Sequence, residues 1–311
     1  MNNILVFGGS GMVGNSLKCI ETQNNLIFLN SKDADLTCED QTNNIFKKFK
    51  PKGVINLAAN CGGLYKNLDF GIRLFSDNIN INYNVLKYSH EYNVEKVISC
   101  LSVCIFPELS ECPWIELPMS EKDVHNGPPH ESNNCYAYSK RMVDVLTRKY
   151  RKMYSRNFIT ITPTNIFGPY DNFSENTGHV IPGLIRKAVN AKKNNEPLVV
   201  RGTGCALRQF IYSKDLAKLI LWAYDNYNQD ETIIFSPDES HEFSIKTIAE
   251  TIAEICDVKD IIFDSAYSDG QYKRTVSNQK LKLLYPEFSF TDIKQSLQET
   301  IDWYKNNQNV C

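Results

Sequence analysis

A chain of 311 residues, 42% hydrophobic and 23% charged, is long enough to bury a sizeable core as one large or two moderate domains. Its 34 basic against 36 acidic residues leave no broad basic field for nucleic acid or an anionic membrane, so an anionic ligand has to be held by a local site. The opening MNNILVFGGSGMVG has too short an apolar run for a signal peptide, and no stretch approaches the ~20 apolar residues that span a bilayer, which reads as a cytoplasmic protein. Ten cysteines, at 19, 38, 61, 100, 104, 112, 135, 205, 256 and 311, contain no CxxC pair and read as reduced thiols. The same lack of close Cys/His pairing argues against a metal site.

Short apolar runs and amphipathic segments alternate over residues 1–168. ILVFG (4–8), LIFLN (26–30), GVINLAA (53–59), KVISCLS (96–102) and FITITPTN (158–165) are rich in Val, Ile, Leu and Phe, as strands covered on both faces are. Helical candidates lie between them, notably 67–91 and 133–154. The alternation predicts an α/β fold of Rossmann type, a doubly wound parallel sheet with right-handed crossovers. After Pro169 the beat is lost. Helices near 178–194, 213–228, 244–257 and 290–306 interleave with short strands near 198–201, 232–236 and 261–264. This predicts a smaller mixed α/β substrate-binding lobe over 169–311, with 206–237 returning to the main sheet.

The first strand runs into Gly8-Gly9-Ser10-Gly11-Met12-Val13-Gly14, a GxxGxxG ahead of an amphipathic segment. Glycines there let the backbone turn tightly and let a pyrophosphate approach the next helix's N-terminus, whose free N–H groups favour an anion. An acidic residue at the tip of the second strand would bind the ribose 2'-hydroxyl of NAD. The tip is Asn30-Ser31-Lys32-Asp33, neutral and then cationic, which suits the 2'-phosphate of NADP(H), although Lys32 also reads as a solvated loop lysine and Asp33 remains an acid nearby.

Tyr136 and Lys140, in NCYAYSKRMVD, fall four residues apart on one face of a predicted helix. A phenol of ordinary pKa ~10 exchanges protons near neutrality only when a cation stabilises the phenolate, and Lys140 suits that task as well as holding the nicotinamide ribose hydroxyls. Ser102 and Cys104, in LSVCIFP, follow a strand at the end where a doubly wound sheet takes its ligands. Taken alone, Cys104 reads more readily as a small buried hydrophobe. His179, in TGHVIPG ahead of a helix, reads equally as a cap-region histidine, while His90 and His241 read as surface residues and His125 and His130 flank the turn NGPP.

Gly8, Gly11, Gly14, Ser102, Tyr136 and Lys140 together resemble the extended short-chain dehydrogenase/reductase pattern. More narrowly, SVCIFP, HNGPPH, YAYSKRM, PTNIFGPYDNF, GHVIPGLIRK, RQFIYSKDLA and SDGQYKRTVSN resemble the GDP-L-fucose synthase family, from the first strand to about residue 304. The resemblance implies a bifunctional 3,5-epimerase and NADPH-dependent 4-reductase acting on GDP-4-keto-6-deoxy-D-mannose. It implies Cys104 and His179 as the base and acid of epimerisation, with Ser102, Tyr136 and Lys140 serving reduction. Implied cofactor contacts extend to Pro163, Asn165, Ile166 and His179, and implied substrate contacts are Asn165, Lys187, Arg201, Arg208 and Asp269. Lysine and arginine suit a diphosphate, and Lys187 also reads as a helix C-terminal lysine favoured by the dipole. Arg201 stands where the family commonly has Trp, and Val103 where it has a small polar residue; alternation along a strand would turn Val103 away from the site.

The resemblance also implies a homodimer built on helices 67–91 and 133–154. Two other readings compete. Another extended nucleotide-sugar epimerase or dehydratase would keep NAD(H) bound throughout its cycle, against which the second-strand tip and the Cys104/His179 pair argue. A catalytically silent NADP(H)-binding sensor or scaffold would have no use for the reacting side chains.

Overall fold

The computed structural model describes residues 3–174 and 177–307. The first half contains β1 (Asn3–Phe7), α1 (Met12–Lys18), β2 (Asn25–Leu29), α2 (Glu39–Phe49), β3 (Gly53–Asn56), α3 (Leu64–Glu91), β4 (Lys96–Cys100), α4 (Asn134–Tyr154) and β5 (Asn157–Pro163). Then follow β6 (Asn165–Phe167), α5 (Val180–Asn194), β7 (Leu198–Arg201), β8 (Leu207–Tyr212), α6 (Ser213–Asn226) and β9 (Ile233–Phe235). The chain continues through β10 (Glu242–Ser244), α7 (Ile245–Cys256), β11 (Ile261–Asp264), α8 (Gln279–Leu284) and α9 (Ile293–Asn306).

Six strands form one parallel sheet in the order β2-β1-β3-β4-β5-β9. Its central strands are buried along nearly their whole length, which is why they read as unbroken apolar runs and not as alternation. One face is sealed by a core containing Phe46 of α2, Val85 and Leu86 of α3 and Val143 of α4. The other is sealed by Leu17 of α1, Leu216, Leu219 and Ile220 of α6 and Leu281 of α8. The strand order reverses direction between β1 and β3, and ligands of such sheets lie in the crevice beyond the carboxyl ends at that point.

The segment 206–237 divides its allegiance. Its β9 extends the main sheet, with Ile161 opposite Ile233 and Pro163 opposite Phe235. Its β8 lies instead in a three-stranded sheet, parallel to β6 and antiparallel to β10. A two-stranded parallel sheet of β7 and β11 stands beside it, and α5, α7 and α9 close a third core around Ile185, Ile248 and Ile301.

Several local expectations are corrected. The third strand stops at Asn56 and the fourth at Cys100, and the run expected over 158–165 breaks into β5 and β6 at Thr164, whose N–H donates the last bond of the β5–β9 ladder to Phe235 O. Helix α2 was not foreseen; only Ile45, Phe46 and Phe49 among its eleven residues are strongly apolar. His90 is no plain surface residue: its ring lies 4.3 Å from that of Tyr154, and its Nδ1 accepts from Arg156 Nε at 3.0 Å.

Candidate active site

The crevice begins at the glycine turn. Gly8 has φ +77°, a conformation that side chains rarely adopt, and a Cβ there would lie 2.9 Å from the backbone of Leu57 and Ala58 after β3. A Cβ on Gly14 would meet Gly8 O at 2.6 Å, so the helix can approach the turn only without one. Gly11 is the N-cap of α1 and its N–H donates to Gly8 O at 3.0 Å. Ser10 is exposed at the tip of the turn, Met12 begins the helix, and Val13 is buried beneath it. Beside them, at the end of β2, the Asp33 carboxylate accepts from Asn30 N–H at 2.8 Å and is thereby folded into its own turn. Lys32 is exposed, and its ammonium has no partner among the described residues. The tip therefore offers a cation, with the Asp33 carboxylate engaged in its own turn.

Beyond β4 the backbone does not continue as a strand. Ser102 is extended and caps a 3-10 turn, Val103–Ile105, by accepting from Cys104 N–H at 3.3 Å. Val103 does face away from the site, buried among core residues, but a turn achieves this where strand alternation was expected. The turn leaves Ser102 and Cys104 partly open on one side. On α4, Lys140 Nζ lies 5.8 Å from the centre of the Tyr136 ring and donates to Cys100 O at 2.8 Å, so the helix is pinned to the end of β4.

Burial dominates both groups. It pushes the Tyr136 phenol well above its usual range, and the nearby thiols of Cys61, Cys104 and Cys100 add to the rise. It pushes the Lys140 ammonium down, opposed by Cys100 and Cys61. The phenolate stabilisation expected from Lys140 is therefore outweighed by burial.

Cys61, which sequence reasoning passed over, lies exposed in the loop after β3 and within electrostatic reach of Lys140, Lys66, Asp171 and Cys104. That loop is tied to the segment before α5, since Gly63 N–H donates to Thr177 O at 3.2 Å. His179 is the N-cap of α5, and its Nδ1 lies 3.9 Å from Asp171 Oδ1. Asp171 was also missed, although it stands within the PTNIFGPYDNF block.

The remaining expected residues lie on β5 to β8, on α5 and in the loop after β11. Pro163 ends β5, Asn165 and Ile166 start β6, and Asn165 Nδ2 donates to Gln209 O at 2.8 Å, joining β6 to β8. Arg208 donates through Nη1 to Leu207 O and through Nη2 to Gln271 O, both at 2.7 Å. Burial pushes its guanidinium down to about 10, with Arg274 adding repulsion and Cys104, Glu242 and Asp269 opposing. It remains a cation near neutrality, largely buried and without a carboxylate in ion-pair contact among the described residues, which is an environment that favours an anionic ligand. Lys187, Arg201 and Asp269 gather apart from the reacting groups, around the end of β7. Lys187 Nζ donates to Val199 O at 3.1 Å, Arg201 lies 4.8 Å over the Tyr267 ring, and Asp269 accepts from Thr203 N–H at 2.7 Å. Both Cys104 and Asp269 lie within electrostatic reach of Arg208. Among the described residues no cluster of three or more His, Cys, Asp or Glu side chains is arranged to hold a metal ion.

Comparison with known proteins fits this geometry. The NAD dependent epimerase/dehydratase family matches residues 4–236. A GDP-L-fucose synthase of Dictyostelium discoideum is 46% identical over 310 residues, covering 98% of this chain and 95% of the relative. The chain belongs to the GDP-L-fucose synthase family. A probable GDP-L-fucose synthase of Drosophila melanogaster is 40% identical over 320 residues, covering 99% of this chain and 98% of its own length. The crystal structure of a GDP-L-fucose synthetase from Naegleria fowleri bound to NADP matches with a TM-score of 0.94 at 42% identity, over 100% of this chain and 94% of that one. The α/β Rossmann-type sheet expected from the sequence is thus the fold that this synthase family member has. Among the described residues no helix is long and apolar enough to cross a membrane.

Proposed function

We propose that the chain converts GDP-4-keto-6-deoxy-D-mannose to GDP-L-fucose by 3,5-epimerisation and NADPH-dependent 4-reduction, as a cytoplasmic homodimer. The observation that carries this reading is the meeting of Ser102, Cys104, Tyr136 and Lys140 beyond β4, in a chain 46% identical to a GDP-L-fucose synthase. The substrate's ketone acidifies the protons on the two flanking carbons, so inversion needs one group to remove a proton and another to return one from the opposite face. Cys104 and His179 form that pair. NADPH, when bound, supplies hydride to the ketone carbon. Ser102 and Tyr136 hydrogen-bond the ketone oxygen, and Tyr136 delivers its proton as the alkoxide forms. Burial, which keeps the phenol neutral, suits a donor, and Lys140 is the cation beside the phenolate left behind.

In the same reading, residues 1–168 with part of 206–237 carry the cofactor, and 169–311 carry the nucleotide sugar. The glycine turn with Ser10, Met12 and Val13 faces the pyrophosphate, and Pro163, Asn165 and Ile166 flank the nicotinamide end. Lys187, Arg201, Arg208 and Asp269 serve the GDP moiety, with Arg201 stacking where the family commonly has Trp. The free ammonium of Lys32 and the engaged carboxylate of Asp33 support a 2'-phosphate contact. Lys32→Ala is expected to raise the KM for NADPH about tenfold, the worth of one charge-assisted contact, while leaving the KM for NADH unchanged. Equal effects on the two cofactors would remove Lys32 from the phosphate site.

Exposed apolar side chains support the homodimer. Phe70, Ile72, Phe75 and Tyr83 on α3 and Tyr138, Met142 and Val145 on α4 face outward, and a groove of about 880 Å³ opens beside residues 67–73. Sedimentation at micromolar concentration is expected to show a particle of twice the 35.6 kDa chain mass. A monomer alone would overturn the dimer.

The decisive experiment mixes the protein with GDP-4-keto-6-deoxy-D-mannose and NADPH, following the nicotinamide absorbance, with a parallel incubation in heavy water without cofactor. GDP-L-fucose as product and deuterium at the two flanking carbons without turnover of cofactor are expected. Intact NADPH binding with neither product nor exchange would leave the silent cofactor-binding protein as the reading.

A further inference from the structure

Asp171 stands in the loop between β6 and α5 with its side chain only 5% exposed. Its Oδ1 accepts from Asn172 N–H at 2.7 Å and lies 3.9 Å from His179 Nδ1. Its Oδ2 is buried and has no hydrogen-bond partner among the described residues. A buried acceptor left without a donor is costly, so a carboxylate in this state is matched to a donor that arrives from outside its own loop. Among the described residues His179, its side chain 46% exposed, is the ionisable donor within 4 Å of this carboxylate, its Nδ1 facing Oδ1 just beyond hydrogen-bond distance.

The position of His179 makes that partner necessary. As the N-cap of α5 it sits at the positive end of a fifteen-residue helix, makes no capping bond, and has no acidic residue in the first turn to offset the dipole. Asp171 is the carboxylate that faces it, 3.9 Å from Nδ1.

We infer that Asp171 is a positioning residue for the acid step, its buried carboxylate accepting a hydrogen bond from His179 Nδ1–H and thereby fixing the ring with Nε2 toward the cleft. The inference rests on the reading of His179 as the proton donor of epimerisation. The proton on Nε2 passes to the substrate carbanion, the ring becomes neutral with Nδ1–H still bonded to Asp171, and the proton is restored from solvent. Nothing is oxidised or reduced.

The test compares parent, Asp171→Asn, Asp171→Glu and His179→Gln as full-length proteins, following deuterium entry into GDP-4-keto-6-deoxy-D-mannose across pH 6 to 9, each pH being a chosen condition of about one unit's spacing. Thermal unfolding checks that each variant is folded. Asp171→Asn is expected to lower exchange about 10- to 100-fold at the alkaline end, with a smaller loss at the acid end, so that the alkaline limb moves to lower pH. Asp171→Glu is expected to recover part of the rate. Ring nitrogen NMR of the parent, with the signal assigned by its absence in His179→Gln, is expected to show Nδ1 carrying a proton. Asp171→Asn matching the parent at every pH while His179→Gln has lost exchange would overturn this inference alone. Unimpaired exchange in His179→Gln would overturn the acid assignment and this inference with it. Should Asp171→Asn fail to fold, the NMR signal decides, and an unprotonated Nδ1 in the neutral ring of the parent overturns the pairing.

Discussion

Cys104→Ala is expected to reduce deuterium entry at the two carbons flanking the ketone by about 10²- to 10⁴-fold, the range associated with losing a positioned acid or base. The anchoring of its turn explains why the loss should be chemical. Val103 and Ile105 on either side are buried in the main core, and Cys104 N–H donates to Ser102 Oγ, so the turn retains its anchors when only the partly exposed sulfur is removed. Thermal stability should therefore change little. The variant supplied with the already epimerised 4-keto sugar should still oxidise NADPH. Exchange persisting at the parent rate would exclude Cys104 as the base, and Cys61, which shares its electrostatic surroundings, would be the next thiol to replace.

Tyr136→Phe divides the activities the other way. Removing the hydroxyl while keeping the ring is expected to lower NADPH oxidation by about 10²- to 10⁴-fold and to leave deuterium exchange near the parent rate. The ammonium of Lys140 would remain in place, held by Cys100 O. Because burial already keeps the phenol protonated, the parent's reduction rate should show no fall on the acid side attributable to Tyr136. If reduction and exchange fell together, the hydroxyl would be supporting the site's shape and not delivering a proton.

Much of this architecture was legible in the sequence because it rests on local rules. The buried strands of the main sheet announced themselves as apolar runs, and Gly8 and Gly14 marked places where a side chain has no room. Tyr136 and Lys140 were visible through helical spacing taken together with the glycine turn and Ser102. What escaped depended on contacts across the chain. Helix α2 has its few apolar residues, Ile45, Phe46 and Phe49, on one face, but it is short and otherwise polar, so it drew no notice. Cys61 and Asp171 carry no local pattern; they acquire meaning only because Gly63 binds Thr177 and draws their two loops together. The state of Tyr136 was also out of reach, since spacing reveals that Lys140 is near but not that the surroundings raise the phenol and lower the ammonium.

The 3-10 turn after β4 has a further consequence. A hydroxyl has one proton to give and two lone pairs to accept with. In Ser102 one lone pair is already occupied by the amide of Cys104, which leaves the proton to be aimed at an incoming oxygen. In the proposed reaction this makes a two-link relay, from peptide N–H through the hydroxyl to the ketone, each link polarising the other as negative charge grows at its far end. The amide that would start it belongs to Cys104, the residue proposed to serve epimerisation. One peptide unit would thus tune the reductive half while carrying the tool of the other, so a drift in its backbone would be felt by both chemistries at once.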